Sequence, residues 1–200
     1  MMKKMIKTVV FLFSVSALSG ALLAYCESKT KPLIEANQLK IEHEAQKSII
    51  DSNTFKEVTV ELDGEKKAVK VAYNDNNLPL GAIFKVAPKG FGGDITMLVG
   101  ISTEGRVTGY KILSHSETPG LGSKLLSEKF AKGISRLLKM NPSPNFSVKK
   151  DGGDVDAITA ATISSRAFCK GINSALDLFG RTKQVLFTPA PESNISGGNQ

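Results

Sequence analysis

The chain begins with a strongly apolar stretch behind a short basic one. Three lysines in the first seven residues precede an uncharged run over residues 8–26. A helix of that length spans roughly 28 Å, close to the hydrocarbon thickness of a bilayer. Because positive residues stay on the cytoplasmic side, the pattern predicts a single-pass inner-membrane anchor over residues 1–26. The N-terminus is expected in the cytoplasm, and the rest of the chain on the periplasmic side.

Two other interpretations of the N-terminus stay open. A cleaved signal peptide has a shorter apolar core and a small-x-small cleavage site, and the residues before Cys26 offer no clean one. A lipoprotein signal needs a small residue just before its cysteine, whereas Tyr25 stands there. The uncleaved anchor therefore fits the pattern best.

Beyond the anchor, apolar residues recur at helical spacing over residues 33–50, with many charges between them. Pro32 suits the first turn of a helix. We therefore expect an amphipathic helix that continues from the membrane exit, within a segment assigned to residues 27–52.

From residue 53 onward the pattern changes to short runs with β-strand character. The first two runs are joined by Asp63-Gly64, a hairpin signal. Glu104-Gly105 joins the last two, and that second hairpin is expected at the centre of a sheet. The five predicted strands are Glu57–Leu62, Ala68–Tyr73, Ala82–Ala87, Ile95–Ser102 and Arg106–Ser114.

Helical patterns follow the strands. They predict helices over Ser123–Leu138 and Ile163–Phe179, the second ended by Gly180, with a short strand at Phe146–Lys150 between them. Residues 188–200 have the composition of a disordered tail. The expected fold class is α+β: one transmembrane helix, then a domain over residues 53–187 with an antiparallel sheet and flanking helices.

Composition and charge remove several classes of function. Hydrophobic residues make up 41% and charged residues 22%, as in ordinary globular proteins. The net charge of +7 suggests a nucleic-acid partner, but three of those charges belong to the N-terminal lysines, and the chain has no Trp and three Tyr. No nucleic-acid partner is therefore predicted. Two Cys and two His give neither a disulfide framework nor a metal-ligand spacing.

A cluster of hydroxyl groups at the start of the last predicted helix is the first candidate site. A helix N-terminus carries unpaired N–H groups and partial positive charge, which suit a phosphate. Ala160 and Ala161 allow a ligand to approach the backbone, and Arg166 could add charge. The alternative is a simple N-cap cluster. The hydroxyl groups belong to Thr159, Thr162, Ser164 and Ser165.

The second candidate is the loop HSETPGLGSK, residues 115–124. Pro119 fixes one dihedral angle, and the two glycines permit close backbone approach. Such a stiff loop suits gripping a flat ligand, although a plain turn explains it equally well. His115 and Glu117 have no nucleophile or metal cluster beside them, which favours a structural histidine.

These segments together carry a resemblance. An apolar span, GFGGDITMLVGIS, GRVTGYKILSHSETPGLGSKL and DAITAATISSRAF occur in this order and resemble the covalently flavinylated FMN-binding domain. Within that family the chain most resembles the G subunit of the Rnf-type ion-translocating electron transport complex. It is more distantly similar to the C subunit of the sodium-translocating NADH:quinone oxidoreductase. The resemblance covers residues 1–180 and implies that residues 53–187 form an FMN-binding domain.

The resemblance also implies site residues. The family motif Asp-x-x-Ser/Thr-Gly-Ala-Thr is matched by Asp156, Thr159, Ala161 and Thr162, while Ala160 departs from its usual Gly. By this match the Thr162 side-chain oxygen carries the FMN phosphate, and Thr159 with nearby N–H groups holds it. An alanine at position 160 is tolerable if φ there is negative. The loop is expected to lie over the flavin ring, with contacts from Glu117, Thr118, Leu121, Gly122 and Lys124.

The function implied is that of a membrane-anchored flavoprotein subunit with one covalent FMN. It would relay electrons in a complex that couples transfer between ferredoxin and NAD to ion translocation, without independent catalysis. Expected partners are the other subunits, a flavin transferase and membrane lipid. Two alternatives remain: the C subunit of the quinone reductase, whose chains tend to be longer, and a non-redox anchored binding module.

Overall fold

The computed structural model describes residues 2–62, 64–141 and 143–187. The chain divides after His43 into two compact units. The predicted tail at 188–200 and the Asp63 part of the first hairpin signal lie outside the described residues.

A single long helix, α1 (Met2–Ile49), opens the chain. Within the described residues it is the one helix that is long and apolar enough to cross a membrane, with a mean hydropathy of 2.1 in its most apolar window. Pro32 lies inside α1 and does not begin a second helix. A proline removes one backbone hydrogen bond, and the helix-favouring residues around it carry α1 through.

Five antiparallel strands form one sheet in chain order: β1 (Thr54–Leu62), β2 (Glu65–Tyr73), β3 (Pro79–Val86), β4 (Thr96–Ser102) and β5 (Val107–Ser114). All five strands predicted from the sequence are confirmed. The expectation that the β4–β5 hairpin lies at the centre is wrong, because β3 is central and β5 forms an edge. Each strand pairs with its successor, so the last strand of the series is left with one neighbour.

The segment after β5 is less regular than predicted. A 3₁₀ turn (Gly122–Leu126) precedes α2 (Glu128–Leu138), and Ser127 separates them by accepting a hydrogen bond from the Phe130 N–H. A serine that caps a helix stops the preceding turn from running into it. The predicted strand at Phe146–Lys150 is wrong: Val148 makes one isolated bridge with Val155, and the chain then turns.

The last helix, α3 (Thr162–Phe187), is longer than predicted. Gly180 does not end it, because the core-facing side of the helix continues through Thr182 and Leu186, both buried. Gly180 does not have a positive φ, so it serves as an ordinary helical residue.

Both faces of the sheet are covered. On one face, Phe168, Ile172 and Phe179 of α3 pack in the main core with sheet residues that include Phe84 and Met97. The end of α1 covers the other face with Ala45, Ile49 and Ile50 against Ala72, Ile83 and Leu98. The expected α+β architecture is therefore confirmed, and it places the start of α3 beside the loops that follow β3 and β5.

Candidate functional site

Four hydroxyl groups surround the start of α3, and the structure separates them into two pairs. Ser165 is fully buried: its Oγ accepts from the Ile158 N–H at 2.9 Å and donates to the Ala161 carbonyl at 3.0 Å. Ser164 is buried as well and donates to Glu117 Oε2 at 2.5 Å. These two serines therefore hold the local backbone and are not available to a ligand.

The other pair faces outward. Thr162 is half-buried and Thr159 is exposed, and neither hydroxyl has a hydrogen-bond partner in the part of the chain that the structure describes. Thr162 is the first residue of α3. The Ala161 carbonyl accepts from the Ser165 N–H at 3.0 Å, so the N–H groups of residues 162–164 precede the first hydrogen bond of the helix. A hydroxyl beside such N–H groups suits a phosphate ester.

The turn before Thr162 has an unusual backbone. Ala160 has φ of +64°, in the left-handed region that glycine favours. The condition under which alanine was expected to be tolerated there, a negative φ, is therefore not met. The turn keeps the conformation that a glycine would adopt freely, and the methyl group belongs to an exposed residue.

The charged residues of the motif are engaged with other side chains. Asp156 lies 2.7 Å from Lys149 Nζ in an exposed ion pair. Arg166 binds Asp151 through Nε and Nη2, and these hydrogen bonds lower the pKa of the Asp151 carboxyl. Arg166 is thus paired with Asp151, and the helix start itself contributes partial positive charge at Thr162.

The loop at 115–124 reaches α3 through Glu117, which is 5% exposed. Glu117 Oε1 accepts from the N–H groups of Phe91 and Gly92, at 2.8 and 3.1 Å. His115 accepts from the Glu117 N–H through Nδ1 at 3.2 Å, a structural contact. The link to the glycine-rich turn at 90–93 was missed from the sequence, where only the spacing of the glycines hints at it.

The remaining predicted contacts differ in their exposure. Thr118, Leu121 and Lys124 are exposed on this loop, whereas Gly122 is buried beside Glu117 and Ser164. Two exposed apolar side chains that sequence reasoning did not single out adjoin the same place: Phe91 (69% exposed) and Ile163 (52%). Phe91 donates its N–H to Glu117, and Ile163 precedes the Ser164 that donates to the same carboxylate, so both belong to segments joined at Glu117.

The site lies at the surface. Two cavities of about 620 and 720 Å³ share Lys67, Lys170, Ser174 and Leu178, and neither is lined by Thr162. Buried Cys169 lines the smaller one, and burial raises the pKa of its thiol to about 11. Thr162 and the loop at 115–124 therefore lie outside both cavities.

The FMN-binding domain family matches residues 90–177, which contain the glycine-rich turn, the loop at 115–124 and most of α3. The G subunit of the ion-translocating oxidoreductase complex of Methanosarcina acetivorans is 33% identical over 181 residues, covering 88% of this chain and 94% of that protein. The chain belongs to this G-subunit family. The available hydroxyl of Thr162 at a helix start fits the phosphate of the FMN that the domain binds.

Other relatives carry the same name over a shorter match. The G subunit of Shewanella oneidensis is 39% identical over 110 residues, and that of Shewanella baltica 40% over 110 residues. In both cases the match spans about half of the relative, at 52% of its length. Among solved structures, Shewanella oneidensis NqrC is 16% identical, with a TM-score of 0.48 over 64% of this chain and 68% of that one.

Proposed function

We propose that this chain is the membrane-anchored flavoprotein subunit of an ion-translocating electron-transfer complex, with one FMN joined through its phosphate to Thr162. The observation that carries the proposal is the hydroxyl of Thr162, unpartnered among the described residues at the first position of α3. The G-subunit relatives and the FMN-binding domain support the wider role. The complex would couple electron transfer between ferredoxin and NAD to ion movement.

In this proposal each part of the site has a defined task. Thr162 provides the ester oxygen, and the N–H groups of the first turn of α3, with the Thr159 hydroxyl, bind the phosphate. Bound FMN supplies the electron-transfer chemistry, and the protein supplies position and electrostatics. No acid–base group is required of the chain, and no independent catalysis is expected. Apolar surface for the flat ring comes from Leu121, Ile163 and Phe91, and Thr118 and Lys124 can donate at its edge.

The anchor and the partners follow from the same proposal. The lysines before the apolar run orient the N-terminus toward the cytoplasm, so the FMN-binding domain would lie on the periplasmic side. A separate flavin transferase would form the ester there from a flavin dinucleotide. The Thr162 oxygen bonds to the phosphorus of the FMN half, the pyrophosphate bond of the donor breaks, the nucleoside monophosphate leaves, and the hydroxyl proton passes to solvent. The remaining subunits and the lipid would then hold the domain within reach of its electron partners.

A denaturing gel tests the attachment directly. The chain is co-expressed with a flavin transferase, and the gel is viewed for flavin fluorescence beside an intact-mass measurement. We expect a fluorescent band and a mass gain of one FMN less one water, both lost in Thr162→Ala. Thr159→Ala removes the second available hydroxyl, which binds the phosphate in this proposal, so it should slow attachment and still give a fluorescent band with the full mass gain.

Two outcomes would contradict the proposal. A wild-type chain that stays colourless beside an active transferase would favour a non-redox anchored module. Fluorescence that survives Thr162→Ala and disappears in Thr159→Ala would move the ester to the other threonine.

A further inference from the structure

One buried carboxylate gathers three separate segments of the chain around the candidate site. Glu117 accepts two backbone hydrogen bonds from the glycine-rich turn through Oε1, and one from the Ser164 hydroxyl through Oε2. Ser164 lies two residues after Thr162, in the first turn of α3. The carboxylate therefore joins the loop at 115–124 to the turn at 90–93 and to the helix that carries the proposed flavin ester.

Because this arrangement is buried, each of its polar groups needs a hydrogen-bond partner within the protein. Glu117 is 5% exposed and Ser164 is 2% exposed, so water does not replace a missing partner for either group. A buried carboxylate is stable only when its oxygen atoms receive hydrogen bonds. Bonds to a charged acceptor are also stronger than bonds between neutral groups. The three donor groups are therefore held in place relative to one another, because one carboxylate accepts a hydrogen bond from each of them.

Three glycines make room for Glu117 and the backbone just before it. A Cβ atom at Gly90 or Gly122 would collide with a Glu117 carboxylate oxygen, and one at Gly92 would collide with the Ser116 carbonyl. None of these glycines has a positive φ, so backbone conformation does not require glycine at any of them. The lack of space requires glycine, because the backbone at these positions lies so close to the Glu117 segment that no side chain fits.

We propose that Glu117 is a positioning residue for flavin attachment, acting through Ser164 on the first turn of α3. The inference rests on the proposed function and changes the role expected of Glu117, because both oxygen atoms of its carboxylate already accept hydrogen bonds within the protein. The first turn of a helix lacks part of its hydrogen bonding and frays easily. Glu117 holds that turn in place, so the Thr162 oxygen stays where the transferase and the flavin phosphate must meet it.

Small displacements at such a site have large effects on rate, since a reacting atom about 1 Å out of place costs about a hundredfold. The Glu117–Ser164 hydrogen bond ties this loop to a side chain in the first turn of α3. Removing this hydrogen bond leaves the Thr162 hydroxyl chemically intact, but the first turn of α3 is then no longer tied to the loop.

The test follows covalent flavin in the full-length chain after induction of a flavin transferase, using in-gel fluorescence and intact mass. Ser164→Ala removes only the link to α3, and we expect the initial rate of attachment to fall about tenfold. The matched control is Thr182→Val, which removes another buried hydroxyl from α3, bonded to the Leu178 carbonyl at 2.7 Å. It should lower thermal stability to a similar extent and leave attachment unchanged.

Three further variants separate positioning from stability. Glu117→Gln keeps an oxygen for the two backbone N–H groups and an amide that can donate to Ser164, so it should attach flavin within about threefold of wild type. Glu117→Ala should be slowed more than Ser164→Ala. Combining Glu117→Ala with Ser164→Ala should add nothing to Glu117→Ala alone, because both changes remove the same bond.

The outcomes are distinct. Flavin attachment at the wild-type rate in a folded Ser164→Ala protein would overturn the inference, as would equal losses in Ser164→Ala and Thr182→Val. Additive effects in the double variant would overturn the coupling between Glu117 and Ser164. A wild-type chain without flavin would instead refute the proposed function, and the two failures are therefore distinguishable.

Discussion

The guanidinium of Arg166 binds the carboxylate of Asp151 through two hydrogen bonds, 2.7 Å from Nε to Oδ2 and 2.8 Å from Nη2 to Oδ1. This bidentate pair joins α3 to the turn that precedes Asp156, and it lowers the pKa of the Asp151 carboxyl, mainly by direct hydrogen bonding. The lowered pKa contributes stability above the ordinary carboxyl pKa, and that contribution is lost as the pH falls through the lowered value.

We therefore expect the Asp151 pKa to rise toward its ordinary value in Arg166→Gln, as followed by NMR titration of the carboxyl carbon. Lys132→Gln, which breaks the exposed pair with Glu128 on α2, should leave the Asp151 pKa unchanged. Identical Asp151 titrations in wild type and Arg166→Gln would show that the pair is absent in solution. Both partners are exposed, so the effect on global stability should be small.

Ala160→Gly should stabilise the protein. Ala160 has φ of +64°, and a left-handed conformation costs an L-residue about 1–2 kcal/mol relative to glycine. Glycine gains freedom in the unfolded chain, which offsets part of this stabilisation. We therefore expect the free energy of unfolding to rise by about 1 kcal/mol. Denaturation of the detergent-solubilised full chain measures this change.

Ala161→Gly is the control for that experiment. Ala161 is buried and has no positive φ, so glycine there should lower the free energy of unfolding. If both substitutions destabilise the protein, the left-handed conformation of Ala160 is wrong.

Gly180→Ala should also stabilise the protein, because Gly180 lies inside α3 and a Cβ atom there meets nothing within 4 Å. Alanine is favoured over glycine in a helix interior by about 0.5–1 kcal/mol. The comparison is Gly171→Ala on the same helix, where the new Cβ would lie 2.7 Å from Met97 Sδ and should destabilise the core. Thermal denaturation of both variants measures the difference. A destabilising Gly180→Ala would indicate that the helix ends at Gly180, as the sequence alone suggested.

Cys169 should make the folded protein sensitive to alkaline pH. Burial raises the pKa of its thiol from 9.0 to about 11. Between these values the unfolded thiol has lost its proton while the folded one keeps it, so the unfolded state binds fewer protons and stability falls as the pH rises. Burial also raises the pKa of Tyr110 to about 12, which acts in the same direction at higher pH.

Urea denaturation at several pH values from 8 upward tests this expectation. Cys169→Ala should flatten the fall in stability between about pH 9 and pH 10 and reduce it above pH 10, where the fall caused by Tyr110 remains. Thiol alkylation gives an independent check, since the buried Cys169 should react only after unfolding. Rapid native alkylation of Cys169 would contradict its burial.

Much of this fold was predictable because its signals are local. Short runs of strand-forming residues bounded by turn residues marked all five strands, and an uncharged run of membrane length marked the apolar part of α1. The hydroxyl-rich segment marked the start of α3 as a candidate phosphate site because the residues that make a helix start receptive to phosphate are neighbours in the chain. The choice of Thr162 among its hydroxyl groups came from the family resemblance. The end of α3 was misjudged, since the local signal at Gly180 is outweighed by the burial of Leu186 farther along the helix.

The sequence by itself determined the order of the elements, the apolar first helix and the segment that carries the proposed flavin ester. Only the tertiary structure decided which of the four neighbouring hydroxyl groups are free to bind a ligand. It also decided which carboxylate accepts a hydrogen bond from the helix turn that carries them. Glu117 and Ser164 are 47 residues apart in the chain, and Glu117 and Phe91 are 26 apart. No periodicity reports such a contact, because the partner of a buried polar group is chosen by how distant segments pack, and a buried carboxylate must find its donors wherever the fold brings them.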